Sequence, residues 1–237
     1  MNEDLNQRLF LKYQDGDLDA IVEIIELERA QLFDYLIRMT GQHDRSLATI
    51  DEVVKALRSE DLAQNFGDYE SLKVKVFATA RNFSQHIWNA DISALENQGF
   101  AELDEDDLRA SLQNIEAFMA KLPGVDRELL LLHGRYGFSV VDAAAVLNRD
   151  SEFCSDRISM LFLDLKNILP TIDGSVRELL GALPHHPISG NANLGTVALS
   201  QIMGDMGKVR RSWAYYQNLI LIVLLFVLLG SLYYLYF

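Results

Sequence analysis

The chain has 237 residues, 49% of them hydrophobic, enough for one or two small domains with real cores. Its formal net charge of −13 opposes non-specific attraction to DNA phosphates and anionic lipid headgroups. A single cysteine, Cys154, excludes an internal disulfide and fits a reducing compartment.

The opening Met1-Asn2-Glu3-Asp4 carries no charged-then-apolar signal pattern. A short first helix is expected from about Leu5 to Tyr13. Gln14-Asp15-Gly16-Asp17 is a turn, with Asp17 placed to cap the next helix. Ile21, Ile24, Ile25, Leu27, Leu32, Leu36 and Met39 recur at near-helical spacing and predict a long second helix. Gly41, after Thr40, is its stop. A third helix is expected over about 47–57. A fourth covers about 69–90, with Val74, Phe77, Ala78, Ala80, Phe83, Ile87 and Trp88 as apolar positions.

Residues 91–107 look like a linker, with Gly99 and the acidic run Asp104-Glu105-Asp106-Asp107. A helix over about 108–122 closes at Pro123-Gly124, and three more are expected over about 125–135, 139–147 and 151–169. Pro170 ends the set. Residues 171–216 are linker and juxtamembrane segment, with helix possible over 176–183 and near 194–203. Pro184-His185-His186-Pro187 and Gly190-Asn191 read as loop. No strand pattern of period two runs anywhere, so the fold class is all-α.

Leu219–Phe237 is 19 residues without a charge, long enough for a helix crossing about 30 Å of hydrocarbon. Leu219, Phe226, Leu229 and Phe237 mark this anchor, assigned to 217–237. Lys208, Arg210 and Arg211 precede it and place the head in the cytoplasm; Trp213, Tyr215 and Tyr216 at one end and Tyr233, Tyr234 and Tyr236 at the other supply interfacial rings. The expectation is a single-pass protein of the cytoplasmic membrane, with lipid as a partner. Gly230 has no small residue four positions away for close helix pairing.

Chemistry-bearing constellations are sparse. His185-His186 lacks a third and fourth ligand at metal-site spacing. Cys154 falls on the apolar side of its helix, as a small core residue does. There is no glycine-rich phosphate loop and no nucleophile–histidine arrangement in convincing context. An enzyme is not expected, nor a cofactor.

Two segments resemble the extracytoplasmic-function group of sigma-70 factors. In 19–57, Arg38-Met39-Thr40-Gly41 stands where the family ends a helix in Leu-Thr-Gly-Asp. Thr49-Ile50-Asp51-Glu52-Val53-Val54, then Ala56-Leu57, comes at the family's distance, and Val76-Phe77-Ala78-Thr79-Ala80-Arg81-Asn82 matches the next helix. Together they are similar to sigma region 2, placed at 1–90. In 122–169, Leu122-Pro123, Arg127-Glu128-Leu129-Leu130-Leu131-Leu132, Gly137-Phe138-Ser139, Ala143-Ala144, Val146-Leu147 and Arg157-Ile158 resemble region 4, placed at 108–170. That region is a helix-turn-helix, which needs a tight turn after its first helix. Asn148 occupies the family's glycine there and is the non-glycine residue best suited to a left-handed backbone.

The resemblance implies core RNA polymerase and promoter DNA as partners, with an anti-sigma factor or other membrane protein as a further one. Asp51, Glu52 and Lys55 are the implied polymerase contacts; Arg81, Asn82, Trp88, Ser155 and Arg157 are the implied DNA contacts. Trp88 and Phe83 either stack on a flipped base or belong to the core. Phe153, Ser155, Asp156 and Arg157 take the positions that read the major groove, and only Arg157 is a good base or phosphate contact. The basic run that comes after arginine-asparagine in the family is absent. Residues 1–98 hold 10 basic and 18 acidic side chains, and residues 121–169 hold six and seven. The alternative is therefore a sigma-fold membrane adaptor that has lost DNA binding and acts through protein contacts.

Overall fold

A computed structural model of the chain describes residues 2–59, 66–87, 106–169, 175–186 and 188. The expected acidic linker 91–107 (but for Asp106 and Asp107, which open a helix), Trp88, the Pro170 stop, the possible helix near 194–203 and the apolar run 217–237 lie outside the described residues. All described residues belong to one compact unit, Met1–Gly190. They contain helices and connecting turns and no strand, so the all-α expectation is met.

Helix α1 (Asn2–Gln14) lays Leu9, Phe10 and Tyr13 against α2 (Ala20–Thr40). Asp17 caps the turn between them: its Oδ1 accepts the Asp19 N–H at 3.1 Å, a residue short of the helix proper. α2 is the spine of the unit, buried on several sides by α1, α3 and α4, and it also meets α6. Leu27, one of the apolar positions that predicted it, is instead 45% exposed. Gly41 ends α2 in the left-handed conformation (φ 68°), its N–H donating to the Ile37 carbonyl at 2.8 Å.

α3 (His43–Ser59) begins a turn earlier than its apolar pattern predicts. The Ser46 hydroxyl and N–H both bond the Gln42 carbonyl, and Thr40 Oγ1 accepts the Gln42 N–H, so polar groups build the first turn. α4 (Tyr69–Ser84) starts at Asp68, whose carboxylate accepts the Ser71 N–H at 2.8 Å, a cap of about 1 kcal/mol. It tightens into a 3-10 turn at Gln85–Ile87, where a continuous α-helix was expected, and 88–90 lie outside the described residues.

α5 (Asp106–Lys121) leads through Pro123 into α6 (Gly124–Leu129). α6 does not stop at Leu129. It widens into π-type turns over Leu130–Arg135, with the Tyr136 N–H reaching the Leu131 carbonyl at 2.9 Å. α7 (Val140–Leu147) is capped by Ser139, and α8 (Ser151–Ile168) by Asp150, which accepts from Glu152 and Phe153. Asn148 joins them at φ 51°, ψ 52°, left-handed as the sequence required. α9 (Val176–Gly181) opens with a reciprocal capping box between Ser175 and Glu178. Cys154 is fully buried, as are Leu161 and Leu165 of the same helix, in this half of the core.

α4 packs directly on α7, joining the α1–α4 and α5–α9 halves. The seam is aromatic. Phe77 meets Phe138 edge-on at 5.0 Å between ring centres, and Tyr35 and Tyr136 close around Phe77 at 5.4 and 6.0 Å.

Candidate functional site

On α3, a spacing of four puts Asp51 and Lys55 on one side, with Glu52 beside them. Glu52 and Lys55 are exposed and Asp51 is half-buried. Burial pushes the Asp51 carboxyl up, against the pull of Lys55 and Arg29. The implied polymerase contacts thus form one small surface of mixed sign.

The implied DNA contacts are placed differently. Arg81, 13% exposed, aims Nε at both oxygens of the buried Glu128, at 3.0 and 3.1 Å. Arg157 makes a two-pronged pair with Asp126, at 2.7 and 2.5 Å. Both acids belong to α6, so one short helix holds the two arginines of the expected DNA surface. Asn82 and Ser155 are exposed, and Trp88 lies outside the described residues. The outer face of α8 is apolar and acidic: Phe153, Met160, Leu163 and Ile168 are 43–60% exposed, beside exposed Glu152, Asp156 and Asp164. Exposed apolar side chains spread over about four helical turns suit a protein partner better than phosphates.

The most elaborate polar arrangement is built around Asp34, which no motif singled out. Asp34 and Arg38 sit four apart inside a stretch of α2 whose other residues are all buried. Asp34 is fully enclosed, and an isolated buried carboxylate is costly. Here its oxygens accept from Arg38 Nε (3.1 Å), Arg135 Nε (2.6 Å), the Tyr136 hydroxyl (2.7 Å) and the His186 N–H (3.0 Å), with His186 Nδ1 also at 3.0 Å. Burial pushes the Asp34 carboxyl up, but Arg38, His186 and Arg135 outweigh it and hold it well below the usual carboxylate range. Consecutive residues of a regular helix do not face the same way. Arg135 and Tyr136 both reach Asp34 because the π-type turns end between them.

The arginines extend the cluster. Arg38 also binds Glu116 of α5 and donates to the Pro184 carbonyl at 2.8 Å. Arg135 donates to the Leu180, Leu183 and Pro184 carbonyls at 3.2, 2.5 and 3.1 Å. His185 and His186 thus lie at an acid–arginine cluster. Among the described residues no group of three or more histidine, cysteine or acidic side chains is placed to hold a metal ion. A signal was present in the sequence: an Asp–Arg pair at helical spacing on an otherwise apolar face demands partners.

A second cluster lies nearby. Burial pushes Glu128 up to about 7, while the Tyr35 hydroxyl (2.5 Å to Oε1) and Arg81 work against the rise. Lys73 and the Tyr69 hydroxyl similarly satisfy buried Glu28, tying α4 to α2.

Among the described residues no helix is long and apolar enough to cross a membrane, and Leu219, Phe226, Leu229 and Phe237 fall outside them. The chain matches no family model and no curated protein.

Proposed function

We propose that the chain is a membrane-anchored, sigma-70-like regulator of transcription initiation. Its helical head faces the cytoplasm and meets core RNA polymerase through Asp51, Glu52 and Lys55 on α3. The observation that carries this reading is the α7–Asn148–α8 unit. A left-handed residue stands where the resembled family needs one, in a helical order that agrees with both matched segments. Purified full-length protein in lipid nanodiscs is titrated with core polymerase. A complex is expected, weakened about tenfold by Glu52→Lys at low salt and less at high salt. No complex at any salt rules the reading out.

A second reading is favoured by a specific observation: Arg81 and Arg157 are both engaged by acids of α6. On this reading the sigma-like head is an adaptor that works through protein contacts, with the apolar face of α8 available to a partner. Retention of the same preparation on DNA-cellulose separates the two. The adaptor flows through at about physiological salt, whereas a promoter reader is retained and elutes with rising salt.

A further inference from the structure

The strap Pro184–His186 has no helical structure of its own, yet it is bonded at three points to side chains of two distant elements. The His186 backbone and ring meet Asp34 of α2. The Pro184 carbonyl takes one donor from Arg38 of α2 and one from Arg135 at the end of the α6 extension. Asp34 and Arg135 are themselves paired, so the strap closes a ring of contacts joining the α1–α4 half to the α5–α9 half. A second tie crosses the same seam a short way off, where Arg81 of α4 sits on Glu128 of α6.

The first tie is built on the buried Asp34–Arg135 ion pair, and the second sets the Arg81 guanidinium on the buried Glu128 carboxyl. Removing such charges from water costs about as much as their attraction returns, so they specify a closed arrangement more than they deepen it. The rest of the seam is the aromatic contacts around Phe77, the Arg38–Glu116 pair and the Tyr35–Glu128 and Tyr136–Asp34 hydrogen bonds. An interface of that composition is one where small changes shift the balance between closed and open. The strap is also where the described unit runs out toward the uncharged C-terminal segment.

We propose that Pro184–His186 is a latch. Seated on Asp34, Arg38 and Arg135, it holds the two halves of the head closed with Arg81 masked by Glu128. Withdrawn, it lets the halves part and uncovers Arg81 and the aromatic seam. A pull on the linker, or its capture by a partner, is then transmitted to the far side of the head without any ligand entering the core. The latch stands on its own contacts. Only its coupling to the membrane rests on the proposed anchor.

The test is arginine labelling of the full-length protein in nanodiscs with phenylglyoxal, mapped residue by residue by mass spectrometry. Exposed Arg149 and Arg177 report reagent activity, and buried Arg58, within the α1–α4 half, reports general unfolding. In the wild type Arg81 is protected. In His186→Ala, Arg81 labels about tenfold faster with Arg58 unchanged, as expected for losing one hydrogen bond to a carboxylate. Asp34→Asn produces the same selective pattern if it folds; His186→Ala decides the matter if it does not. Arg81 staying protected in His186→Ala overturns the latch. Arg58 and Arg81 rising together also overturns it, because the strap then stabilises the whole fold and gates nothing. Polymerase and DNA binding are judged by their own titrations, so the latch and the proposed function fail independently.

Discussion

Glu128 is a buried residue whose ionisation bears on stability near neutral pH. Its folded value of about 7 lies above the ordinary 4.5, so the native state keeps a proton that the unfolded chain gives up. Below pH 4.5 both states hold that proton and the contribution is fully present. It fades as pH rises through about 7, and stability falls with it. The full effect is roughly 3 kcal/mol, discounted for the strength of its coupling to Arg81 and Tyr35. Glu128→Gln keeps the shape and has no proton to lose. Urea unfolding in detergent at about pH 5 and about pH 8 is therefore expected to bring wild type down toward, or below, the variant at the higher pH; an unchanged gap refutes the assignment. Asp34 has the opposite sign. Its value is depressed, so its contribution is present above 3.8 and is lost as acid protonates it.

At the level of single elements, the turns report most clearly. Asn148 at φ 51° tolerates its backbone because its short polar side chain suits the left-handed region. Asn148→Val places a β-branched residue there and is expected to cost about 2 kcal/mol, while Asn148→Gly is neutral or mildly stabilising. Thermal melts of the two variants decide it. Gly134 acts differently: it lies in the π-type stretch with buried Leu180 of α9 against it, and an added methyl meets the Leu180 side chain directly. Gly134→Ala should push α9 off its seat and cost about 1–3 kcal/mol. Amide exchange that speeds up over Val176–Gly181 while α2 stays unchanged is the expected measurement.

What the sequence made legible divides along the same line. Gly41, Asn148, Pro123 and Ser139 mark boundaries through chemistry acting within a few residues, and those boundaries hold. Leu27 misled because a period of 3.6 says which residues share a stripe but not how wide the covering neighbours are. The early start of α3 was hidden because polar groups, not apolar spacing, build its first turn. The Asp34 cluster was legible only in part: the Asp34–Arg38 spacing called for partners, but those partners, Arg135 and His186, lie 101 and 152 residues away. Arg81 and Arg157 matched a family pattern by type and position, but only packing reveals that α6 carries an acid for each.

For the whole molecule, charge and hydropathy pull the ends apart. The chain is strongly acidic overall, yet it finishes in an uncharged run of 19 residues. Full-length protein is expected in the pellet when lysate is spun at high speed without detergent. It should resist extraction by salt and be released by detergent. Phe226→Arg combined with Leu229→Arg, each costing about 3 kcal/mol near mid-bilayer, should move it to the supernatant. If wild type is already in the supernatant, the anchor is refuted and the regulator reading must rest on its motifs alone.

The distance along the chain between Asp34 and His186 also sets an order of events during synthesis. A protein leaves the ribosome from its amino end, and its early segments begin to fold while later ones are unmade. Helices α1 to α4 can assemble as soon as they emerge, with Asp34 and Arg38 paired and still wet. Their enclosure waits for Arg135 and then for His186, which comes before the uncharged run Leu219–Phe237. Dry burial of the acid is thus one of the last steps before the greasy tail appears, and a nascent chain stalled short of it exposes an unfinished head to chaperones and proteases.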